Sequence, residues 1–302
     1  MGETSVAIGE MIRIEGGSFR MGSDEHYPEE APSRMVTIGP FEIDLTPVTN
    51  ARFADFVAAT DYRTLAERAP DAALYPDADP SLLVPGSSVF TPPTKYPITP
   101  DPMNWWAYVP GADWRHPYGP DSSIEGLEDH PVVHVTSVDA VAYCEWAGKR
   151  LLTEAEWEFA ARGGLEAKAF AWGDELAPEG AMLANYWQGP FPRTNHCLDG
   201  YERTSPVGAF PANGYGLFDM IGNVWEWTSD DYVLPGTQDH GCCAPVDGAT
   251  RMLGDFPFKV IKGGSHLCAE NYCQRYRPAA RYKQMVDTST THIGFRCGRD
   301  AG

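Results

Sequence analysis

Apolar positions come in short bursts at the start of the chain. In Met11-Ile12-Arg13-Ile14 they flank a single charge, Gly16-Gly17 turns the chain, and Ser18-Phe19-Arg20-Met21-Gly22 follows. This pattern predicts short β elements. A second extended run covers Met35 to Ile43 and contains Gly39-Pro40, which bends or breaks it. The period then changes. Phe53, Phe56 and Val57 fall on one face at i, i+3, i+4 spacing behind Thr49-Asn50, which predicts a capped helix over Asn50 to Thr60.

Two further helices are legible. Ser137 to Gly148 begins at a capping serine, places Ala140, Val141, Cys144 and Trp146 on its apolar faces, and closes at glycine. Thr153-Glu154-Ala155-Glu156 has the reciprocal capping pattern of a second helix, ending at Arg162 before Gly163-Gly164. Beyond it helical periodicity disappears, and residues 165–302 read as loops, short strands and aromatics. Residues 65–130 are the least regular, with Pro70, Pro76, Pro80, Pro85, Pro92, Pro93, Pro97, Pro100 and Pro102 around the cluster Trp105-Trp106-Ala107-Tyr108. Those aromatics predict an ordered loop packed on the core. With no repeat, linker or low-complexity tract, residues 1–302 read as one compact α+β domain with little regular secondary structure.

Composition narrows the function. Hydrophobic residues make up 43% of 302, enough for a core, and 30 Gly with 26 Pro agree with a loop-rich body. The net charge of −19 argues against nucleic acid and against an anionic membrane surface, both of which need clustered Lys and Arg. The start, Met1 to Glu10, has no cationic segment ahead of an apolar run, and no stretch approaches the ~18 apolar residues of a membrane span. The expectation is a cytoplasmic monomer. Seven cysteines leave at least one unpaired within the chain, and in a reducing compartment thiols more often bind metal or react than form disulfides.

Three constellations could carry chemistry. Cys268-Ala-Glu-Asn-Tyr-Cys273 offers two thiols that a loop could bring together. Soft thiolates select copper(I) or zinc, and zinc needs two further ligands that no other spacing supplies. A lone pair of cysteines fits copper(I) better than zinc, but on spacing alone the signal is weak and two buried unreacted cysteines are the simpler reading. Around this pair, Gly263-Gly264 allows close backbone approach, Ser265 could donate to a thiolate or to bound oxygen, and Arg275, Arg277 and Arg281 form a basic island. That island either faces a ligand or pairs with local carboxylates. Finally, Asp219-Met-Ile-Gly-Asn-Val-Trp-Glu-Trp227 sets two carboxylates around Gly222, and Asn185-Tyr-Trp-Gln-Gly to Asp199-Gly-Tyr201 is similarly rich in oxygen. Either could hold calcium or be a turn with solvated carboxylates.

Four blocks taken together resemble the formylglycine-generating enzyme family, the sulfatase-modifying factors. They are Gly16-Gly-Ser-Phe-Arg-Met-Gly22, Arg150-Leu-Leu-Thr-Glu-Ala-Glu-Trp-Glu-Phe159, Gly214-Tyr-Gly-Leu-Phe-Asp-Met-Ile-Gly-Asn-Val-Trp-Glu-Trp227, and Lys262-Gly-Gly-Ser through Gly294-Phe-Arg-Cys297. The first three mark a wider C-type-lectin-like fold; the Cys-x4-Cys in the fourth marks the oxidase, and the actinobacterial enzymes look nearest. The resemblance implies a copper(I)-dependent oxidase that uses dioxygen and a thiol reductant. It would convert the cysteine of a Cys-x-Pro-x-Arg motif in an unfolded sulfatase to formylglycine. Cys268 and Cys273 would hold copper, with the client thiolate as a third ligand. Ser265, Ser289 and Trp225 match active-site positions, and Arg281 and His292 fall at the client groove. One structural calcium would take Asn185, Asp199 and the carbonyls of Tyr186 and Tyr201. Another would take Asp219, Glu226 and the carbonyls of Gly222 and Val224. The client's arginine should find a carboxylate.

This sequence also departs from the family. Pro278 and Ala161 stand where vertebrate members have disulfide partners, so neither vertebrate disulfide is expected and Cys297 should be left free. His292 replaces a common Asn, Ala269 replaces a common His, and Cys242-Cys243 has no assigned role. Two other functions share the fold. The iron-dependent sulfoxide synthases carry a His-x3-His-x-Glu motif that this sequence lacks, and a non-catalytic binding module has no need of Cys268 and Cys273 beside Ser265.

Overall fold

A computed structural model describes residues 9–94, 104–233 and 257–302. The start of the chain, Pro97, Pro100, Pro102 and the Cys242-Cys243 pair lie outside the described residues. Strands β1 (Met11–Ile14), β4 (Phe41–Asp44), β7 (Arg150–Leu151) and β12 (Cys297–Asp300) form one sheet in the order β1-β4-β12-β7. Strands β8 (Trp225–Asp231), β9 (Phe258–Lys262), β10 (Arg281–Met285) and β11 (Ile293–Gly294) form another in the order β10-β9-β8-β11, antiparallel except for β11 on β8. Strands β2 (Gly17–Met21) and β3 (Arg34–Ile38) pair as a hairpin, so the extended run does break at Gly39-Pro40. Through β4 this sheet joins the first strand, β1, to the last, β12.

The helices fall where the periodicity puts them, with one change of cap. Helix α1 spans Asn50–Thr60, and the Thr49 side chain accepts from Arg52 N. Helix α2 spans Ser137–Trp146, but Thr136 is its cap, not Ser137. Thr136 Oγ1 accepts from Asp139 N, and the Asp139 carboxylate accepts from Thr136 N at 2.8 Å. Asp at the third helical position closes the same reciprocal box that Glu closes elsewhere. Helix α3 spans Glu154–Arg162 behind Thr153 and Glu156 and ends on Gly163 at φ +56°. A Cβ there would sit 2.8 Å from Gly214 N, so conformation and crowding both demand glycine.

The proline-rich segment is more regular than expected. Strand β5 (Gly86–Phe90) pairs with β6 (Trp106–Pro110), Phe90 opposite Trp106, so Trp106-Ala107-Tyr108 belong to a strand. The connection between them is long and proline-rich, with no Asn-Gly or Asp-Gly pair, so the tight-hairpin signal is absent. Trp105 is buried beside it, as an ordered aromatic loop requires.

Aromatic side chains fill the core between α1, α2 and the first sheet. Phe53 meets Trp114 at 5.2 Å and Tyr143 meets Phe295 at 5.3 Å, both edge to face. Each such pair adds about 0.5–1.5 kcal/mol beyond its buried area. Cys297 is not isolated. Its Sγ lies 3.3 Å from Cys144 Sγ on α2, both thiols free and buried. Cys297 is therefore free, as expected, and the packing of α2 on β12 gives it a thiol neighbour that spacing along the chain could not show.

Candidate functional site

The site grows out of the end of β9. Lys262 is fully buried, and its ammonium lies 2.9 Å from Glu158 on α3. After it the backbone turns at Gly264, at φ +70°, where a Cβ would meet the backbone of Arg275 and Tyr276 at 2.8 Å. That close approach puts the 264–268 turn against the 273–276 segment. Ser265 O accepts from Cys268 N at 2.9 Å, and Ala269 O accepts from Cys273 N at 2.9 Å. Two successive turns therefore bring the Cys268 and Cys273 sulfurs within 3.1 Å. The loop is pinned from outside as well: Trp187 N donates to Cys268 O, and Asn271 exchanges bonds with the backbone of Phe191.

The two thiols are unequal. Cys268 is buried, and burial pushes its thiol well up. Cys273 is pushed down to about 6, because Cys268 donates to it and the Arg275 guanidinium, 3.8 Å away, favours its anion. The two shifts run in opposite directions, which favours the anion at Cys273 and the thiol at Cys268. In the metal-free protein, alkylation of Cys273 followed against pH should turn on near 6, and a midpoint above about 8 would remove the thiolate assignment. The folded value lies below the unfolded one. The thiolate therefore adds stability that is fully present above about 8.5 and lost as pH falls through about 6.

Both cysteines face a cavity of about 380 Å³. Ser265, Trp225 and His292 line it too, so five of the expected residues meet at one place. Ser265 Oγ accepts from Leu267 N at 3.2 Å, which leaves the hydroxyl hydrogen free to donate. Trp105, Trp106, Phe191, Tyr272 and Tyr282 add aromatic faces to the wall; Phe191 stacks on Tyr272 at 4.4 Å, and Trp106 lies 4.8 Å from His292. Burial holds His292 well below the usual imidazole range, so it is neutral here. Its Nδ1 is 2.6 Å from Thr290 Oγ1. Ser289 sits one step behind the wall, between Thr290, which lines the cavity, and the backbone of Ser88, which also does. Arg281 is outside the wall: it pairs with Glu154 through bonds of 2.7 and 2.9 Å. Arg275 and Arg277 likewise pair with Glu29 and Glu30, so the basic island is neutralised by local carboxylates. No Asp or Glu lines the cavity among the described residues; Glu202 lines an adjoining one that shares Leu267.

The oxygen-rich loops also close up. Asp199 Oδ2 accepts from Gln188 Nε2 at 2.8 Å, and the same amide meets Tyr186 O, so carboxylate and carbonyl face one point. Asp199 Oδ1 accepts from Tyr201 N, and Asn185 Nδ2 donates to Arg203 O, leaving the Asn185 amide oxygen. Burial raises Asp199, as expected of a carboxylate short of positive charge. In the second loop Asp219 is pushed up to about 6 by burial. Glu226 is already paired: Arg296 bonds both of its oxygens at 2.8 Å, and Trp157 Nε1 bonds one at 2.7 Å. Gly222 and Val224 carbonyls enter none of the turn or loop hydrogen bonds. Among the described residues no three His, Cys, Asp or Glu side chains gather around one point, so any metal here would rest partly on carbonyls or on an outside ligand.

Sequence reasoning did not single out Glu29 and Glu30, which anchor the arginines, or Ser87 and His134 behind Ser289. Their partners lie 47 to 247 positions away along the chain, beyond the reach of a local pattern.

Comparison with known proteins adds an independent line. Residues 1–301 match the family model described as the sulfatase-modifying factor enzyme 1-like domain. A protein named formylglycine-generating enzyme from Mycobacterium tuberculosis is 54% identical over 96% of this chain and 98% of its own length. A mouse protein named inactive C-alpha-formylglycine-generating enzyme 2 is 39% identical over 97% of this chain and 86% of its own. Among solved structures, PvdO from Pseudomonas aeruginosa superposes with a TM-score of 0.61 at 25% identity, over 96% of this chain and 94% of that one.

Proposed function

The chain belongs to the sulfatase-modifying factor enzyme family, and from that premise we propose that it converts a client sulfatase's cysteine to formylglycine at Cys268 and Cys273. Family and fold do not by themselves imply turnover, since a relative named inactive is 39% identical. The observation that carries the reading is the pair of cysteine sulfurs, 3.1 Å apart and facing an aromatic cavity.

The balance of the reaction sets what must enter the site. Converting the client's thiomethyl group to an aldehyde, with loss of hydrogen sulfide, removes two electrons from the client. Two thiols going to a disulfide supply two more. Together they reduce one dioxygen, with one water formed net. Dioxygen and a thiol reductant are therefore the required partners of a Cys-x-Pro-x-Arg client.

Cys268 and Cys273 suit copper(I), which when bound supplies one-electron chemistry with dioxygen. The fit is one of donor chemistry: two soft sulfurs, one already deprotonated, and no third protein ligand among the described residues, which leaves a place for the client thiol. The residues themselves do the rest. Trp105, Trp106, Phe191 and Tyr272 exclude water from the client's cysteine, and Ser265 aims a hydroxyl hydrogen into the cavity. The neutral His292 offers a hydrogen-bonding edge without a repelling charge. Glu202 is the carboxylate available to a client arginine from the adjoining cavity. We assign structural calcium to the Asn185–Asp199 loop and to the Asp219–Glu226 loop. Asp199 and the Tyr186 carbonyl support the first; the second is weaker because Arg296 already neutralises Glu226. A melting temperature unmoved by calcium chelation would exclude both. We place the protein in the cytoplasm as a monomer; among the described residues no helix is long and apolar enough to cross a membrane.

The test is mass spectrometry of a Cys-x-Pro-x-Arg peptide incubated with the protein, copper(I), oxygen and a thiol. The expected product has an aldehyde in place of the thiol, and a strong copper(I) chelator should reduce its formation to background. Turnover that survives the chelator excludes copper. An unchanged peptide with folded, copper-loaded protein favours a binding module.

A further inference from the structure

Three buried side chains run inward from Ser289. Its Oγ lies 2.7 Å from Ser87 Oγ, and Ser87 Oγ lies 2.7 Å from His134 Nδ1. His134 Nε2 lies 2.8 Å from the carbonyl oxygen of Pro117. All three residues are at least nine-tenths buried. The backbone ties them together: Ser88 N donates to Ser289 O, Thr291 N to Ser88 O, and His134 N to Thr290 O. His134 is held at φ +60°, a conformation that costs on the order of 1–3 kcal/mol for a residue with a side chain. The contacts around it must over-determine that position.

The direction of the chain follows from its inner end. A carbonyl only accepts, so His134 Nε2 carries the hydrogen. Burial lowers His134 to about 4, so the ring is neutral and Nδ1 is a bare acceptor. The single hydrogen of Ser87 then goes to Nδ1, and Ser289 must donate its own to Ser87 Oγ. The competing acceptor, Ser289 O at 2.8 Å from Ser87 Oγ, already has a bond from Ser88 N, whereas Ser87 Oγ is the group set against Nδ1 at 2.7 Å and a bare Nδ1 there requires its hydrogen.

We propose that His134 and Ser87 are positioning residues that turn the Ser289 hydroxyl inward, so that Ser289 offers lone pairs and not a proton to the site. The inference rests on the reading of Ser289 as an active-site residue. It gives the two serines opposite polarity. Ser265 has a hydrogen to donate into the cavity, and Ser289, one step behind its wall, has only lone pairs left to offer.

Two measurements on the full chain test this. Nitrogen NMR of histidine-labelled protein should show His134 as the neutral Nε2–H tautomer; the Nδ1–H tautomer would overturn the proposal. In peptide conversion, Ser87→Ala should lower kcat/KM about tenfold, the worth of one well-placed hydrogen bond, and Ser87→Thr, which keeps the hydroxyl, should restore it. Placed on top of Ser289→Ala, Ser87→Ala should have no further effect, because Ser87 acts through Ser289. Losses that simply add would mean a separate structural role and overturn the inference. Full activity in Ser289→Ala would overturn it too, while leaving the thiol-pair reading, which Cys268→Ser tests, untouched.

Discussion

Cys268→Ser is expected to lower peptide conversion on the order of a thousandfold or more, to background, with the fold intact. Serine keeps the shape of cysteine, so the turn held by Ser265 O and Trp187 N should survive. What changes is the donor. A hydroxyl is a poor ligand for a soft metal and stays protonated at neutral pH; its O–H can still donate to Cys273, so what is lost is the second soft donor. Copper(I) binding, measured as metal per chain, should fall with turnover, and Cys273→Ser should behave alike. Cys144→Ser is the matched control: it also replaces a buried thiol, 3.3 Å from another, but far from the cavity wall. It should cost stability and leave turnover per folded molecule unchanged. If Cys268→Ser retained more than about a tenth of normal turnover, the thiol pair would not be the reacting centre.

Glu158→Ala should produce the largest loss of stability, about 3–5 kcal/mol, the usual consequence of removing one partner from a buried ionic group. Glu158 is 1% exposed and lies between two buried cations, Lys262 at 2.9 Å and Arg162 at 2.7 Å; it also accepts from Gly22 N at 2.8 Å. Its removal leaves Lys262 with Glu154 at 3.8 Å as the remaining counter-charge. For a chain of this size the loss corresponds to a fall in Tm on the order of 10 °C. Removing both charges, as Glu158→Gln with Lys262→Met, should recover part of it. An unfolding free energy from denaturant titration lowered by less than about 1 kcal/mol would mean that the network contributes little. The effect reaches the site because Lys262 is the last residue of β9 before the Gly263-Gly264-Ser265 turn.

Much of this organisation could be read without coordinates. Helices α1 and α3 have the boundaries that Thr49 and Thr153 announce, because an N-cap and a 3.6-residue period are local events. The break at Gly39-Pro40 is local in the same way. The cap of α2 moved by one residue because Thr136 and Ser137 are both competent, and the choice depends on whether Asp139 can reach back. The β5–β6 pairing was not legible, since a long proline-rich connection, and no two-residue Asn-Gly or Asp-Gly turn, joins the two strands.

The site divides along the same line. Residue order alone specifies which groups are present: two thiols five positions apart, a serine three before the first, a flexible Gly-Gly ahead of them, and oxygen-rich loops around Asp199 and Asp219. Folding settled what those groups are. It set Cys268 against Cys273 at 3.1 Å and placed Arg275 so that one of the pair is an anion. It turned the arginine island into three ion pairs with Glu29, Glu30 and Glu154, two of those carboxylates nearly 250 residues away. It brought Cys144 to Cys297, and it ran a hydrogen-bonded chain from Ser289 through Ser87 to His134. The reason is physical: a residue's type and its near neighbours determine what it can donate, accept or bind. Its charge state, exposure and partner come from desolvation and from segments that only folding brings within a few ångströms.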